Sequence, residues 1–549
     1  MPSLTLVQPQ MKLQYFLNPS ENSITHGTSR YRHAGILIVL AMFVLIPCQT
    51  ARSETTGSSA NAANNRPNIV VILADDMGYG DVQALNPASK IPTPNLNEMS
   101  VSGLTMLDAH SPSAVCTPTR YGLLTGRYCW RSKLKRGVLG GYSKPLLEPG
   151  RSTIADMLRS QGYRTGAVGK WHLGMELPMH GEDADVTKWS GDPGVDYSGK
   201  ITDGPLQHGF DFYFGVSASL DMAPYVFIKN DGFTMVPTLE QKAVKFPHFV
   251  RQGPRSEDFV IDEVLDRLTQ EAVGFIERES AEDKPYFLYM PLTGPHKPTQ
   301  PHERFRGKTK LREYGDFVHQ VDWTVGQVLK AIDESGESEN TLVVFTSDNG
   351  SYMYRYDEPG KEDHVDNVNV QGFRPEHHRA NGVLRGTKAD VWEAGHRVPC
   401  FVRWPAEIER GQKSVTVACL TDLYATFASV VGAELDGKQA EDSVSLLESL
   451  SQDTSNGEAA RRARGAGVIN HSAGGMFAIR RGKWKLVAGN GSGGRQQPKG
   501  KPFAKPYQLF DLEADLAESK DVAEENPALV RELTEELEMI REQGFSVER

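Results

Sequence analysis

Cysteine is scarce in this chain. There are five in 549 residues, Cys48, Cys116, Cys129, Cys400 and Cys419. An odd and low number excludes a disulfide scaffold, and leaves open whether Cys129, Cys400 and Cys419 include one bridge or are three buried thiols. No C-x-x-C pair or Cys/His spacing marks a zinc site. A membrane-length apolar run is also lacking. Ala34 to Ile46 is too short to cross a bilayer, and no stable membrane span is expected. That run follows Arg30, Arg32 and His33, the pattern of a signal peptide, with cleavage expected between Pro47 and Ala60. Residues 1–52 therefore read as a signal-peptide region, and the destination as secreted or periplasmic. Lipoprotein attachment at Cys48 is a weaker alternative because Pro47 precedes it, and Met11 is an alternative start. Net positive charge is missing as well. The formal net charge of −10 argues against a nucleic-acid partner. An anionic substrate would need a local group of cations and a metal.

What is present is ordinary for a globular protein, 39% hydrophobic and 24% charged. The length suggests more than one unit. Residues 53–65 are rich in Ser, Asn, Ala and Gly and read as a linker. Asn68 to Ala74, running into Asp75, Asp76, Met77 and Gly78, predicts a buried parallel strand. Thr341 to Ser347, running into Asp348, Asn349 and Gly350, predicts a second, and Tyr286 to Met290 a third. Ile154–Gln161 and Phe317–Glu334 carry helical spacing. Strands alternating with helices predict an α/β domain with a mostly parallel sheet over 66–435. Ligands gather beyond the carboxyl ends of such strands, where Asp75, Asp76, Asp348 and Asn349 stand. Val415–Val431 reads as one more helix. Residues 436–549 read as a small α+β subdomain with an antiparallel sheet. Strands are expected at Met476–Arg480, Trp484–Val487 and Tyr507–Leu512. A last helix begins after an Asn526 cap, with Leu529, Leu533, Leu537 and Ile540 as its buried stripe. No internal repeat is visible.

Five local patterns carry chemistry. Cys116-Thr117-Pro118-Thr119-Arg120 is followed by Leu124-Thr125-Gly126-Arg127. Pro118 suggests that Cys116 opens a helix, whose amide dipoles favour a developing anion, with Arg120 one turn along. Asp75, Asp76, Asp348 and Asn349 form an all-oxygen ligand set suited to Ca²⁺ or Mg²⁺. Lys170 and His172 lie in Gly169-Lys170-Trp171-His172-Leu173-Gly174, and His296 follows Gly294-Pro295. Lys388 ends Leu384-Arg385-Gly386-Thr387-Lys388, ahead of Trp392-Glu393-Ala394-Gly395-His396-Arg397-Val398-Pro399. Taken singly, each has an ordinary alternative, such as a buried thiol, a capping carboxylate or a solvated Lys-x-His pair.

Together, and in this order, these patterns resemble the formylglycine-dependent sulfatases of the alkaline-phosphatase superfamily, from about Arg66 to the last helix. The resemblance implies an alkaline-phosphatase-like fold and a sulfuric ester hydrolase. It implies that a formylglycine-generating enzyme oxidises Cys116 to 3-oxoalanine, whose hydrated aldehyde attacks sulfur through a sulfo-enzyme intermediate. It places one Ca²⁺ at Asp75, Asp76, Asp348 and Asn349, with the group at Cys116 completing the shell. Lys170 and His172 would contact the diol, with His172 as base. His296 would contact sulfate and protonate the leaving oxygen, and Lys388 would clamp sulfate and assist departure. Thr387 and Ala394 replace glycines found in many relatives. The stretches around Tyr128–Gly150 and Trp392–Pro399 look most similar to arylsulfatases and N-acetylgalactosamine-6-sulfatases. That similarity implies a sulfated galactose-type sugar or an aryl sulfate as substrate partner. Candidate substrate residues are Asp221 and Tyr225, and His377, His378 and Arg379 in the long loop Tyr352–Asn381. A phosphodiesterase or phosphonate hydrolase of the same superfamily, or a non-catalytic glycan-binding relative, are the competing readings.

Overall fold

A central sheet is dictated by strands that are apolar along their whole length. The computed structural model describes residues 66–181, 186–187, 189–450 and 467–549. The signal region, the linker and Cys48 lie outside the described residues. Strand β1 (Asn68–Asp75) is buried at every position. Such a strand needs partners on both edges and cover on both faces. Its neighbours are β7 (Tyr286–Pro295) and β8 (Thr341–Ser347), both parallel to it. Beyond β7 come β3 (Arg164–Lys170) and β4 (Phe212–Val216), again parallel. The sheet has ten strands. On one side it continues antiparallel through β9 (Cys400–Arg403) and β2 (Leu104–Met106), and ends on β10 (Gln412–Ser414). On the other it ends on the short β5 (Ile228–Lys229) and β6 (Gly232–Phe233). Helix α1 (Cys116–Thr125) is wholly buried. Helices α2 (Ile154–Ser160), α3 (Val264–Glu279) and α4 (Arg312–Glu334) each bury an apolar side, and α5 (Leu423–Val431) is buried nearly throughout. No helix among the described residues is long and apolar enough to cross a membrane.

The register of the parallel strands positions the site. Ala74 pairs with Ser347, and Asp75 pairs with Pro295 after an irregularity between Leu73 and Asp75. The residues following three different strands, Asp76, His296 and Asp348, are thereby brought to one sheet edge.

The C-terminal sheet has four antiparallel strands, β11 (Val468–His471), β12 (Phe477–Arg481), β13 (Trp484–Val487) and β14 (Gln508–Asp511). Alternation sends its side chains to two cores. Phe477, Ile479, Leu486 and Leu509 meet Tyr128, Trp130 and Val417, together with Leu533, Leu537 and Ile540 of α6 (Pro527–Gln543). Met476, Ala478, Val487 and Phe510 meet Val391 and Trp392.

Several expectations are corrected. Strand β7 runs on to Pro295, and α4 starts at Arg312 rather than Phe317. The helix expected over Val415–Val431 spans only Leu423–Val431, because Ala418–Cys419 pairs with Ala109–His110. Strand β11 was not anticipated, since Val468–His471 is short and follows a polar stretch. Asn526 precedes α6 but makes no side-chain cap. Its amide donates instead to the Val522 carbonyl at 2.9 Å. Cys116, Cys129, Cys400 and Cys419 are all buried, and no disulfide joins any two of them.

Lys485 of β13 ties the C-terminal sheet to the chain around Glu393. It is fully buried and contacts Glu393 at 3.0 Å and Glu518 at 2.8 Å. Removing one member of a buried ionic group leaves the others uncompensated. Lys485→Ala is expected to destabilise the protein by about 3–5 kcal/mol in chemical denaturation. A midpoint matching the parent would refute this role.

Candidate active site

Position 116 is the first residue of α1. The chain enters extended at Val115, and α1 ends on Gly126 with φ 63°. A side chain at 126 would meet the Cβ of Ala440 at 2.6 Å. This explains glycine in the Leu124-Thr125-Gly126-Arg127 string, where the left-handed conformation favours it. Thr119 Oγ1 donates to the Ser113 carbonyl at 2.9 Å, fixing the first turn.

The Cys116 thiol lies 3.6 Å from Asp75 Oδ1 and 3.4 Å from Lys388 Nζ. Burial is the main cause that pushes its pKa up to about 12. An unmodified thiol here is protonated and a weak nucleophile.

Three carboxylates and three cations surround it, all buried. Lys170, the last residue of β3, donates to Asp75 Oδ2 at 2.6 Å. Lys388 Nζ is 2.5 Å from Asp76 Oδ1. Arg120 donates to Asp348 Oδ2 through Nε at 3.2 Å and Nη2 at 2.7 Å, and through Nη1 to the Lys170 carbonyl at 2.9 Å. It lies 3.7 Å from Asp75. Arg120 thus braces the carboxylates rather than reaching Cys116 directly. Burial raises Asp75 to about 7, against the pull of Lys170 and Arg120. Burial also pushes Asp348 upward, but Arg120, Lys170 and Lys388 outweigh it and leave its pKa lowered.

The donor set fits a hard cation. Asp76 Oδ2 and Asn349 Oδ1 are buried oxygens with no hydrogen-bond partner. Asn349 Nδ2 donates to Asp76 Oδ1 at 2.6 Å, so its carbonyl oxygen is left for another group. Unsatisfied buried oxygens beside carboxylates suit Ca²⁺ or Mg²⁺. Asp75, Asp76, Cys116 and His296 also present ligand atoms within 4.8 Å of one another.

His172 Nε2 lies 2.9 Å from the Leu139 carbonyl. A carbonyl only accepts, so Nε2 carries the hydrogen and Nδ1 keeps a lone pair. Nδ1 has no partner. Burial, with Lys170 and Arg120 nearby, holds the ring's pKa well below its usual value, so it is neutral. His296 Nδ1 donates to the Lys297 carbonyl at 2.6 Å, and its Nε2 lies 3.6 Å from Asp76. Burial, then Lys388 and Lys170, depress its pKa too. Lys388 is held by its own backbone, donating to the Ser351 carbonyl at 2.9 Å. Burial lowers its proton affinity, but Asp76 and the neighbouring thiol and Asp75 outweigh that and raise it.

A cavity of about 570 Å³ opens onto Cys116, His172, His296 and Lys388. Asp221 lines it; Tyr225, His377, His378 and Arg379 do not. Tyr225 is fully buried and donates to the Arg251 carbonyl at 2.6 Å. His377 bonds Asp363 at 2.7 Å and His378 bonds Asp81 at 2.8 Å, which orders the long loop, while Arg379 is exposed. The loop Tyr352–Asn381 therefore supports the chain after β1 and does not form the expected rim. Trp189, Phe249, Arg251, Lys297 and Arg495 line the cavity without having been singled out from sequence. Only the glycines before Arg495 hinted at a close approach of that loop.

The sulfatase family profile matches residues 67–433, and the chain belongs to the sulfatase family, a sulfuric ester hydrolase that cleaves sulfate esters. Among its relatives is an N-acetylgalactosamine-6-O-sulfatase of Bacteroides thetaiotaomicron. The two are 31% identical, over 87% of this chain and 94% of that one. Arylsulfatase G of Canis lupus familiaris is 29% identical, over 84% and 82%. A solved structure of a Bacteroides thetaiotaomicron 6S-sulfatase, described in connection with glycosaminoglycan metabolism, superposes with a TM-score of 0.72. It is 29% identical, over 87% of this chain and 99% of that chain. The fold is that of the alkaline-phosphatase-type sulfatases.

Gly169 precedes Lys170 with φ 139°, and a Cβ there would sit 1.8 Å from the Pro291 carbonyl oxygen. Gly169→Ala is expected to destabilise the fold by about 3 kcal/mol or more, through backbone strain and overpacking. Thermal unfolding within a degree or so of the parent would contradict the close approach.

Proposed function

We propose that this sulfatase acts on a sulfated galactose- or N-acetylgalactosamine-type sugar, and on aryl sulfates, with 3-oxoalanine made from Cys116 and one bound Ca²⁺. The observation that carries the reading is the buried, unreactive thiol at the head of α1, set between Asp75 and Lys388. The hydrated aldehyde supplies a hydroxyl nucleophile that this thiol does not. Asp75, Asp76, Asp348 and Asn349 would hold the Ca²⁺, which supplies positive charge beside that hydroxyl.

The chain's own residues do the rest. Arg120 keeps Asp348 charged and fixes the backbone of Lys170. Lys170 orients Asp75. Neutral His172, with Nδ1 free, would take a proton there from the hydroxyl carried at position 116. Lys388 clamps the substrate sulfate as a protonated ammonium and assists departure of the leaving group. His296 Nε2 contacts the same sulfate, and the adjacent anion raises its proton affinity, so that it can carry the proton given to the leaving oxygen. Asp221 is the remaining candidate for a sugar hydroxyl. A formylglycine-generating enzyme acting on Cys116-Thr117-Pro118-Thr119-Arg120 is the maturation partner. The signal-like N-terminus fits a secreted or periplasmic product.

Cys116→Ala is expected to lower kcat by at least about a thousandfold on nitrophenyl sulfate while unfolding like the parent. Turnover near the parent level refutes the nucleophile. Mass spectrometry of the active protein should find 3-oxoalanine at 116; an unaltered thiol there sinks the proposal. Nitrophenyl phosphate should be the poorer substrate, and a strong preference for it favours the phosphodiesterase reading. Thorough chelation is expected to reduce sulfate hydrolysis and added Ca²⁺ to restore it. Activity indifferent to chelation removes the metal.

A further inference from the structure

The cavity beside Cys116 carries more positive charge than one sulfate needs. Lys388 is already matched by Asp76. Arg251 is matched by the carboxylate of Asp221, with which it makes a close ion pair. Lys297 and Arg495 line the same cavity, and neither makes an ion pair among the described residues. The Nη1 of Arg495 is buried without a hydrogen-bond partner.

Neither cationic head group is held by a carboxylate among the described residues. Lys297 Nζ lies 5.2 Å from the Phe249 ring centre and 5.8 Å from that of Tyr352. The Arg495 amide donates to Asp390 Oδ1 at 2.6 Å, while Asp390 Oδ2 accepts from the Thr387 amide at 3.0 Å. Asp390 thus fixes the loop of Arg495 against the residue preceding Lys388. Burial, then Arg495 and Lys388, push the Lys297 pKa down to about 8. Like charges held together in a partly dry cavity are unfavourable unless an anion joins them. Arg251 also stacks on Trp189 and Phe249, at 5.1 Å and 4.9 Å from the ring centres, giving the cavity a flat wall.

We propose that Lys297 and Arg495 form a second anion subsite, which binds a carboxylate or a further sulfate carried by the same oligosaccharide as the scissile sulfate. The inference rests on the sulfatase reading above and narrows its substrate class to sugars with two or more anionic groups. A guanidinium and an ammonium suit either oxyanion, so the two sources are separated by experiment.

The test compares kcat/KM for three substrates: N-acetylgalactosamine 6-sulfate, the same sugar linked to a hexuronic acid, and the same sugar with a second sulfate. The readout is the ratio of each doubly charged substrate to the singly charged one. Arg495→Ala and Lys297→Met are each expected to lower at least one ratio about tenfold, the loss of one charge-assisted contact. Arg495→Lys, which keeps the charge, is expected to recover most of it. A fall for the hexuronic acid substrate alone assigns a carboxylate, and a fall for the disulfated sugar alone assigns a sulfate. Ratios unchanged in both variants overturn the proposal, including the case in which all three substrates lose equally. Should the wild-type protein hydrolyse no sulfate ester, the sulfatase chemistry fails separately. Calorimetric binding of the two doubly charged sugars then decides the subsite: weaker binding by Arg495→Ala supports it, and equal binding overturns it.

Discussion

The buried carboxylate of Asp75 is the point on which the structure depends. It takes Lys170 at 2.6 Å, stands 3.7 Å from Arg120 and lies 3.6 Å from the Cys116 sulfur. An isolated carboxylate at this depth would be neutralised by a proton, and burial does push Asp75 up to about 7. The cations that hold it down come from α1 and from the end of β3. Lys388 does the same for Asp76 from a loop more than 200 residues away in sequence. The charge balance therefore joins elements that the chain visits at different times. Folding and chemistry use the same ionic contacts here, so removing one of these charged groups also disturbs the packing of the sheet edge.

Parallel pairing makes that balance possible. β1, β7 and β8 run in the same direction, and their register brings Asp75 level with Pro295 and Ala74 level with Ser347. Three chain segments leave the sheet together, carrying Asp76, His296 and Asp348. An antiparallel neighbour would have sent one of them to the opposite edge. The C-terminal sheet contributes from the other side. Its Lys485 is buried against Glu393, just after the Lys388 loop, and the Arg495 segment closes on Asp390. The cavity wall is completed by residues far downstream of the motifs that hold the nucleophile.

Much of this was legible in the sequence, for identifiable reasons. Apolar runs ending in carboxylates mark buried strands and also mark the sheet edge where ligands collect, so Asp75, Asp76, Asp348 and Asn349 could be grouped before any contact was known. The proline near Cys116 signalled the start of α1. What was not legible depended on tertiary pairing. Val468–His471 has too few residues for periodicity to identify it. The polar loop Tyr352–Asn381 was expected at the cavity because charged loops often carry function, yet its His377 and His378 are spent on Asp363 and Asp81. Tyr225 had a suitable ring, but burial and the Arg251 carbonyl take it out of reach. Arg495 was passed over because a loop rich in glycine and lysine gives no local sign of which neighbour it will meet.

Backbone strain shows where the site is over-determined. Asp76, His172 and Ala389 are non-glycine residues with φ of 68°, 57° and 81°. Each such residue costs on the order of 1–3 kcal/mol and persists only where its surroundings insist on it. All three belong to or adjoin the proposed chemistry: Asp76 follows Asp75, His172 follows Lys170 by two, and Ala389 follows Lys388. The turn at Asp76 lets adjacent carboxylates serve different cations, Asp75 taking Lys170 and Asp76 taking Lys388. The turn at His172 carries its amide to the Ser217 carbonyl while its ring reaches Leu139. At Ala389 the amide donates to the Ala114 carbonyl at 2.8 Å, which locks the Lys388 loop against the entrance to α1. Relaxing any of these three to ordinary geometry would move a charged or basic group away from position 116, although Asn230, Arg312, Ala440, Phe503 and Glu518 adopt positive φ outside the site.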